Sequence, residues 1–374
     1  MEITEYTIND NNEKMKKNFL QYDEGDFYKV ENNYVKCQTV NSLLIYGKRK
    51  NKPKISFMIP TYKRNDYIIE TIKSVLEQTE LNVNYEIVIV DNEKGNNELA
   101  NKLKAFSAND ISYYQNDDNI GMFNNWNRCI ELANGEWILI LHDDDTLEKS
   151  YLQTIIKIID KNPEIGGIAC NCNYINEYSE IKHTVGKKYL LSKFERKYIN
   201  IKHSDFYWFH PIDIFGLIIN REKAIQIGGF NEKWFPVADY QFMINLCERY
   251  GIILTTKKIF NYRIADNESK KVETTLKFIY FNNYIRQEVN RYKKCTINKI
   301  DKWYRKNATI NDERIDNYFW TKDYNDEERD KYITGINSIN EILGYKMKSK
   351  TIEMKIQKII EIFFWRLIRL IRII

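Results

Sequence analysis

From Ile55 onward, short apolar runs alternate with stretches in which apolar residues recur every three or four positions. Ile55-Ser56-Phe57-Met58-Ile59 reads as a buried strand ended by Pro60, and Ile68, Ile72, Val75 and Leu76 mark one face of a helix. Glu86 to Val90 is a second buried strand, followed by a helix through Leu99, Leu103 and Phe106 and a short strand from Ile111 to Gln115. Gly121 opens a helical stretch that closes at Gly135, and Trp137 to Leu141 is a strand apolar on both faces. A helix through Leu152, Ile155, Ile156 and Ile159 and a strand from Ile165 to Asn171 continue the series. Strand–helix alternation at this spacing predicts right-handed βαβ crossovers and a mostly parallel α/β sheet. Residues 174–210 are polar and aromatic without a clear period. Regularity returns with a strand from Ile212 to Asn220, helices over 221–227 and 240–250, and apolar runs at 252–254 and 259–264. Residues 271–345 read as helices, and the first 50 residues are polar until Val40 to Tyr46.

These shifts divide the 374 residues into an N-terminal extension (1–50), an α/β domain (51–270), a helical region (271–348) and a basic tail (349–374). The six cysteines are scattered without ligand spacing, which points to reduced thiols in a cytosolic protein. Met1-Glu2-Ile3-Thr4-Glu5 is not a signal peptide, and no run is long and apolar enough to span a bilayer. The net charge of +5 is uneven: residues 346–374 hold eight Lys/Arg against Glu353 and Glu361, leaving the rest at −1. A basic excess confined to one tail argues against nucleic acid as a partner.

The Trp137–Leu141 strand runs directly into Asp143, Asp144 and Asp145. Three adjacent carboxylates repel one another and call for a counter-charge. A hard divalent ion with oxygen ligands, Mn²⁺ or Mg²⁺, would supply it. The plainer alternative makes Asp144 or Asp145 the cap of a helix starting near Glu148.

The succession Ile59-Pro60-Thr61-Tyr62, Val90-Asp91-Asn92, Asn119-Ile120-Gly121, Ala133-Asn134-Gly135-Glu136 and Leu141-His142-Asp143-Asp144-Asp145 resembles the family 2 glycosyltransferases of GT-A fold. Gly228-Gly229-Phe230-Asn231-Glu232 and Ala238-Asp239-Tyr240 match the family's second half, so the resemblance covers about residues 53–265. It implies a Rossmann-like, mostly parallel sheet with helices on both faces. It also implies transfer of a sugar, with inversion, from a nucleotide-sugar (a UDP-sugar) to a glycan or lipid-linked acceptor in bacterial surface polysaccharide synthesis. On that pattern Asp144 and Asp145 hold the metal, Asp143 and Asp144 face the nucleotide-sugar, and Asp91 meets the uracil or ribose. Pro60, Thr61, Tyr62, Asn119, Gly121 and Asn127 line the donor site, and Asp239 is the base. The chain departs from the pattern at His142, where an Asp is usual, at Trp126 in place of an Arg, at Ala238 in place of a Glu, and at Ala265 in place of a His. Arg64 or Arg128 is the candidate to replace the lost arginine. A non-catalytic nucleotide- or glycan-binding scaffold of the same fold is the rival reading, and a sugar nucleotidyltransferase a third.

In the tail, Lys355, Lys358, Glu361, Arg366, Arg369 and Arg372 share one helical arc of about 140°, opposite Ile356, Ile359, Ile360 and Phe363. With Trp365 beside Phe363, this predicts an in-plane helix on the cytoplasmic membrane surface, placing the protein peripherally on its inner face. Packing on the domain or on a subunit is the alternative.

Overall fold

The apolar runs stack side by side. In the computed structural model, which describes residues 25–79, 82–181, 198–264, 270–319, 324–345 and 351–371, they are strands of one sheet. In chain order these are β1 (Ser42–Gly47), β2 (Ile55–Thr61), β3 (Tyr85–Asp91), β4 (Ile111–Asn116), β5 (Trp137–Ile140), β6 (Thr146–Leu147), β7 (Gly167–Ile175), β8 (Tyr198–Ile201), β9 (Ile218–Asn220) and β10 (Ile252–Arg263). The order across the sheet is β1-β4-β3-β2-β5-β9-β7-β10-β6, with β8 also paired to β10. Strands β4, β3, β2 and β5 are parallel, as are β7 and β10, whereas β1, β6, β8 and β9 run against their neighbours.

The chain steps outward from β2 to β3 and β4, then returns through the helix Met122–Leu132 to place β5 on the other side of β2. Strand order therefore reverses between β2 and β5, and the crevice beyond their carboxyl ends is where ligands bind in open α/β sheets. Alternate residues Phe57, Ile59, Ile87, Ile89 and Leu139 join Ile68, Ile72, Leu99 and Ile155 in the main core. The helix Met122–Leu132 packs on β2, β3 and β5.

The turn that launches β5 has a local cause. Gly135 passes so close to β2 that a Cβ there would lie 2.7 Å from the Ser56 nitrogen. The buried Glu86 accepts from the Asn134 N–H (2.7 Å) and from the Ser56 hydroxyl, and Ser56 Oγ accepts from the Gly135 N–H (2.8 Å).

Several elements differ from the sequence expectation. Strand β1 lies inside the stretch taken as an extension, and the sheet's compact unit comprises 30–203, 211–265 and 368–374, so the expected boundary at 51 falls within it. Only Ile218–Asn220 of the expected 212–220 strand pairs, because Gly216 turns the chain at φ 69°. The two runs at 252–254 and 259–264 are one strand, β10, whose register shifts between Thr255 and Phe260.

The described residues of the second unit are 25–29, 204–210, 270–319, 324–345 and 351–367. Its long helices are Val272–Lys293, Asn298–Phe319, Asp326–Ile342 and Thr351–Ile371, the third started by an Asn325/Glu328 capping box. In the last helix Phe364 stacks on Trp208 with centroids 4.0 Å apart, and the buried Gln357 accepts from Asn311. Ile356, Ile359 and Phe363 of the same helix are exposed at 44%, 64% and 57%, beside exposed Lys355 and Arg366. The helix thus has a packed face and an apolar outer one. The side chains of Trp365 and Arg369, and Arg372 entirely, lie outside the described residues. Among the described residues no helix is long and apolar enough to cross a membrane.

Candidate active site

The three carboxylates follow β5 in a loop fastened from below. The Asp145 N–H donates to the His142 carbonyl (3.2 Å), and the Thr71 hydroxyl reaches the carbonyls of Asp143 (3.1 Å) and Asp145 (2.8 Å). Arg263, the last residue of β10 and fully buried, supplies the other fastening. Its backbone N–H donates to Asp145 Oδ1 (2.9 Å) and its Nε to the Asp144 carbonyl (2.7 Å). The rest of the guanidinium donates to the Asn176 carbonyl, to Ser179 Oγ and to Glu70, and lies 4.3 Å from the Tyr67 ring centroid. Sequence reasoning missed Arg263; its only signal was a charge at the end of an apolar run.

The loops after β2 and β5 meet directly. Asp143 Oδ2 accepts from the Thr61 hydroxyl at 2.6 Å, and Arg64 pairs with Asp144 and, at 3.4 Å, with Asp143. All three acids are buried. Burial pushes Asp143 up to about 6 against the pull of Arg64, and it raises Asp145 as well. His142 Nδ1 stands 3.4 Å from Asp145 Oδ2. Its ring stacks on Trp126 (centroids 5.2 Å apart) and meets Phe215 edge-on (5.9 Å). Burial opposes a charge on His142, but Asp145, Asp144 and Asp143 outweigh it and hold the imidazole above its ordinary value. Arg263 is already paired with Glu70. Among the described residues the loop thus sets its three carboxylates against Arg64 and His142.

A divalent cation fits this arrangement. His142, Asp144 and Asp145 each offer a ligand atom, all within 4.8 Å of one another. Asp145 Oδ2 is buried with no hydrogen-bond partner, which is costly unless something else occupies it. The helix-cap alternative fails, because Thr146–Leu147 pairs as β6 and the next helix begins only at Tyr151, with Ser150 at its N-cap position.

Asp239 lies in the first turn of the helix Ala238–Tyr250, one residue inside its start. Its Oδ1 accepts from the Tyr240 N–H at 2.8 Å. Burial pushes it up to about 6, and His142 and Asp213 are close enough to act on it electrostatically.

Other expected donor contacts divide. Thr61 ends β2 in register with Asp91 at the end of β3, Pro60 is buried in β2, and Tyr62 is 41% exposed beyond it. Asn119 is exposed, and its Oδ1 accepts from the Gly121 N–H at the mouth of the helix Met122–Leu132. Asp91 is fully buried and accepts from the Glu93 N–H, Asn96 and Tyr113, so its oxygens hold the loop together. Asn127 must be reassigned. Its amide is buried and bonds both ways with Phe230, donating to the carbonyl (2.8 Å) and accepting from the N–H (2.7 Å). It pins the Gly228-Gly229-Phe230 turn, where a Cβ on Gly228 (φ 86°) would fall 1.9 Å from the Glu31 carbonyl oxygen. Arg128 is likewise spent on the carbonyls of Cys37 and Val40, which leaves Arg64 of the two candidate arginines.

Residues 56–227 match the family model described as Glycosyl transferase family 2. That is 172 of the 374 residues, and over that stretch the chain is similar to the family 2 glycosyltransferases. Its similarity to an uncharacterized glycosyltransferase of Haemophilus influenzae is 24% identity over 197 residues, 52% of this chain and 62% of the relative. The abequosyltransferase RfbV of Salmonella typhimurium is 34% identical over 113 residues, 30% of this chain and 34% of the relative. The chain thus spans less than two thirds of either relative's length. The crystal structure of S. aureus TarS 1–349 in complex with UDP-GlcNAc superposes with a TM-score of 0.52 at 15% identity, over 84% of this chain and 90% of that one. The chain thus has a GT-A fold, and the acidic loop stands at its strand-order reversal.

Proposed function

We propose that this chain is a metal-dependent, inverting glycosyltransferase that moves a sugar from a nucleotide-sugar, a UDP-sugar, to a glycan or lipid-linked acceptor. One observation carries the reading. Three buried carboxylates converge beyond the carboxyl ends of β2 and β5, where strand order reverses, and one of their oxygens, Asp145 Oδ2, accepts no well-made hydrogen bond among the described residues. A divalent ion held by Asp144 and Asp145 would act as Lewis acid on the departing diphosphate. Asp143, held by Thr61, faces the donor's ribose or sugar, and Arg64 offers the diphosphate a guanidinium already aimed into the crevice. Asp239 takes the proton of the acceptor hydroxyl as that oxygen bonds the anomeric carbon opposite the leaving diphosphate. A carboxylate raised to about 6 is ionised at neutral pH and a stronger base than an ordinary one. The Salmonella relative's name, abequosyltransferase, supports sugar transfer, and the UDP-GlcNAc held by TarS supports a UDP-sugar as donor.

The outward apolar stripe of Ile356, Ile359 and Phe363, beside exposed Lys355 and Arg366, supports peripheral attachment to an anionic membrane surface, where a lipid-linked acceptor is presented.

The test is UDP release by the full chain across a panel of nucleotide-sugars, with EDTA and with added Mn²⁺ or Mg²⁺. One donor should be turned over, with loss in EDTA and recovery on adding metal. Tight nucleotide binding with no turnover of any donor would instead favour the scaffold.

A further inference from the structure

We propose that His142 is itself a ligand of the cation, so that the chain holds its metal through an imidazole nitrogen as well as carboxylate oxygens. This rests on the metal-dependent reading above and goes beyond the family pattern, which has an acid at this position. His142 Nδ1 and Asp145 Oδ2 are 3.4 Å apart. Two ligands each about 2.1 Å from one ion stand about 3.0 Å apart at a right angle and about 3.4 Å at a tetrahedral angle. The two atoms are thus spaced as neighbouring ligands. Asp145 Oδ2 accepts no hydrogen bond of good geometry, and His142 acts on it from 3.4 Å, at the long edge of hydrogen-bond range. A well-made His–Asp hydrogen bond would have satisfied that oxygen. An ion between the two atoms satisfies both without moving either residue far, and Asp144 completes the set.

The imidazole is also held for the task. Trp126 covers one side of the ring and Phe215 meets it edge-on. With Nδ1 on the metal, the ring proton resides on Nε2. Carboxylates and water suit Mg²⁺ and Mn²⁺ alike, whereas imidazole favours transition ions and does little for Mg²⁺. The nitrogen therefore biases this site toward Mn²⁺ or Co²⁺ over Mg²⁺.

The test uses the full chain with Mn²⁺ alone, without nucleotide. Pulsed electron paramagnetic resonance should show a directly coordinated ¹⁴N on the bound Mn²⁺, absent in His142→Asp and in His142→Gln. Competition titrations should show the preference for Mn²⁺ over Mg²⁺ falling about tenfold or more in His142→Asp, which restores an all-oxygen site. Mn²⁺ bound without nitrogen coupling, or a preference unchanged in His142→Asp, overturns the proposal while leaving the transferase reading intact. Failure of the chain to bind Mn²⁺ at all, with sugar transfer running in EDTA, overturns both.

Discussion

His142 stacks on Trp126 with ring centroids 5.2 Å apart and planes 30° apart. In the family pattern these positions carry an acid and an arginine, so two departures that look independent in the sequence are one contact in the fold. Two residues in contact should respond to substitution as a pair. The expected signature is non-additivity. Trp126→Arg alone should destabilise by about 1–3 kcal/mol, because it buries a guanidinium against an imidazole. Adding His142→Asp should recover most of that loss in urea unfolding. Additive effects would mean the two positions are uncoupled.

Asp145→Asn should abolish metal-dependent donor hydrolysis while circular dichroism and the melting transition stay close to wild type. Asp145 Oδ1 accepts from the Arg263 N–H, which an amide oxygen also does, whereas Oδ2 loses its charge. Unchanged activity and metal dependence would remove Asp145 from the site.

Asp239→Asn should lower transfer about 10²–10⁴-fold with UDP affinity nearly unchanged, because a general base acts in the transition state. With Asp239 pushed up to about 6, kcat/KM in the wild type should fall as pH drops through that value, where the base takes up its proton. An equal collapse of UDP binding would make Asp239 a binding or structural residue.

Glu313 gives a stability prediction in the helical unit. Burial pushes its carboxyl from 4.5 up to about 7, although Asn340 donates to it at 3.0 Å. Between those values the folded state binds more protons than the unfolded one, so stability falls as pH rises from about 4.5 to 7. Glu313→Gln keeps the acceptor and removes the ionisation. It should stabilise the unit by about 1–3 kcal/mol at pH 8 and change little near pH 4 in denaturant melts. A gain of equal size at both values would mean that charge is not the cause.

Vesicle sedimentation tests the last helix. Because Phe364 and Gln357 are packed inward, substitution is a cleaner test than deletion. Ile359→Ser with Phe363→Ser should weaken binding to all vesicles, and Arg366→Glu, Arg369→Glu and Arg372→Glu together should weaken it only to anionic ones, by about 1 kcal/mol per charge. Indifference of the wild type to anionic vesicles would leave the exposed stripe to a protein partner.

The half of the sheet that builds the crevice was legible because β2, β3 and β5 are buried on both faces and punctuated by Pro60, Asp91 and Gly135. The acidic loop was legible because like charges cannot adjoin without cause. Strand β1 was not, since Leu43, Leu44 and Ile45 are exposed at an edge and sit among polar residues. Nor was β10, whose polar middle, Thr256 to Lys258, split one strand into two runs. Motif residues proved the least transparent. Asn127 and Gly228 stand in matched motifs but serve the turn at Phe230, and that follows only from knowing which backbone groups they meet.

Arg263 closes the acidic loop from a strand that lies 118 residues beyond Asp145 in the chain. During synthesis from the N-terminus, β2 through β5 can pair while the carboxylates still lack the N–H and guanidinium that fix them. The crevice becomes competent only when β10 inserts beside β7, more than 100 residues later, so a nascent chain cannot present a finished site before the whole sheet has emerged. A ribosome-bound chain stopped before residue 263 would carry the acids and the nucleotide-facing strands, yet remain silent.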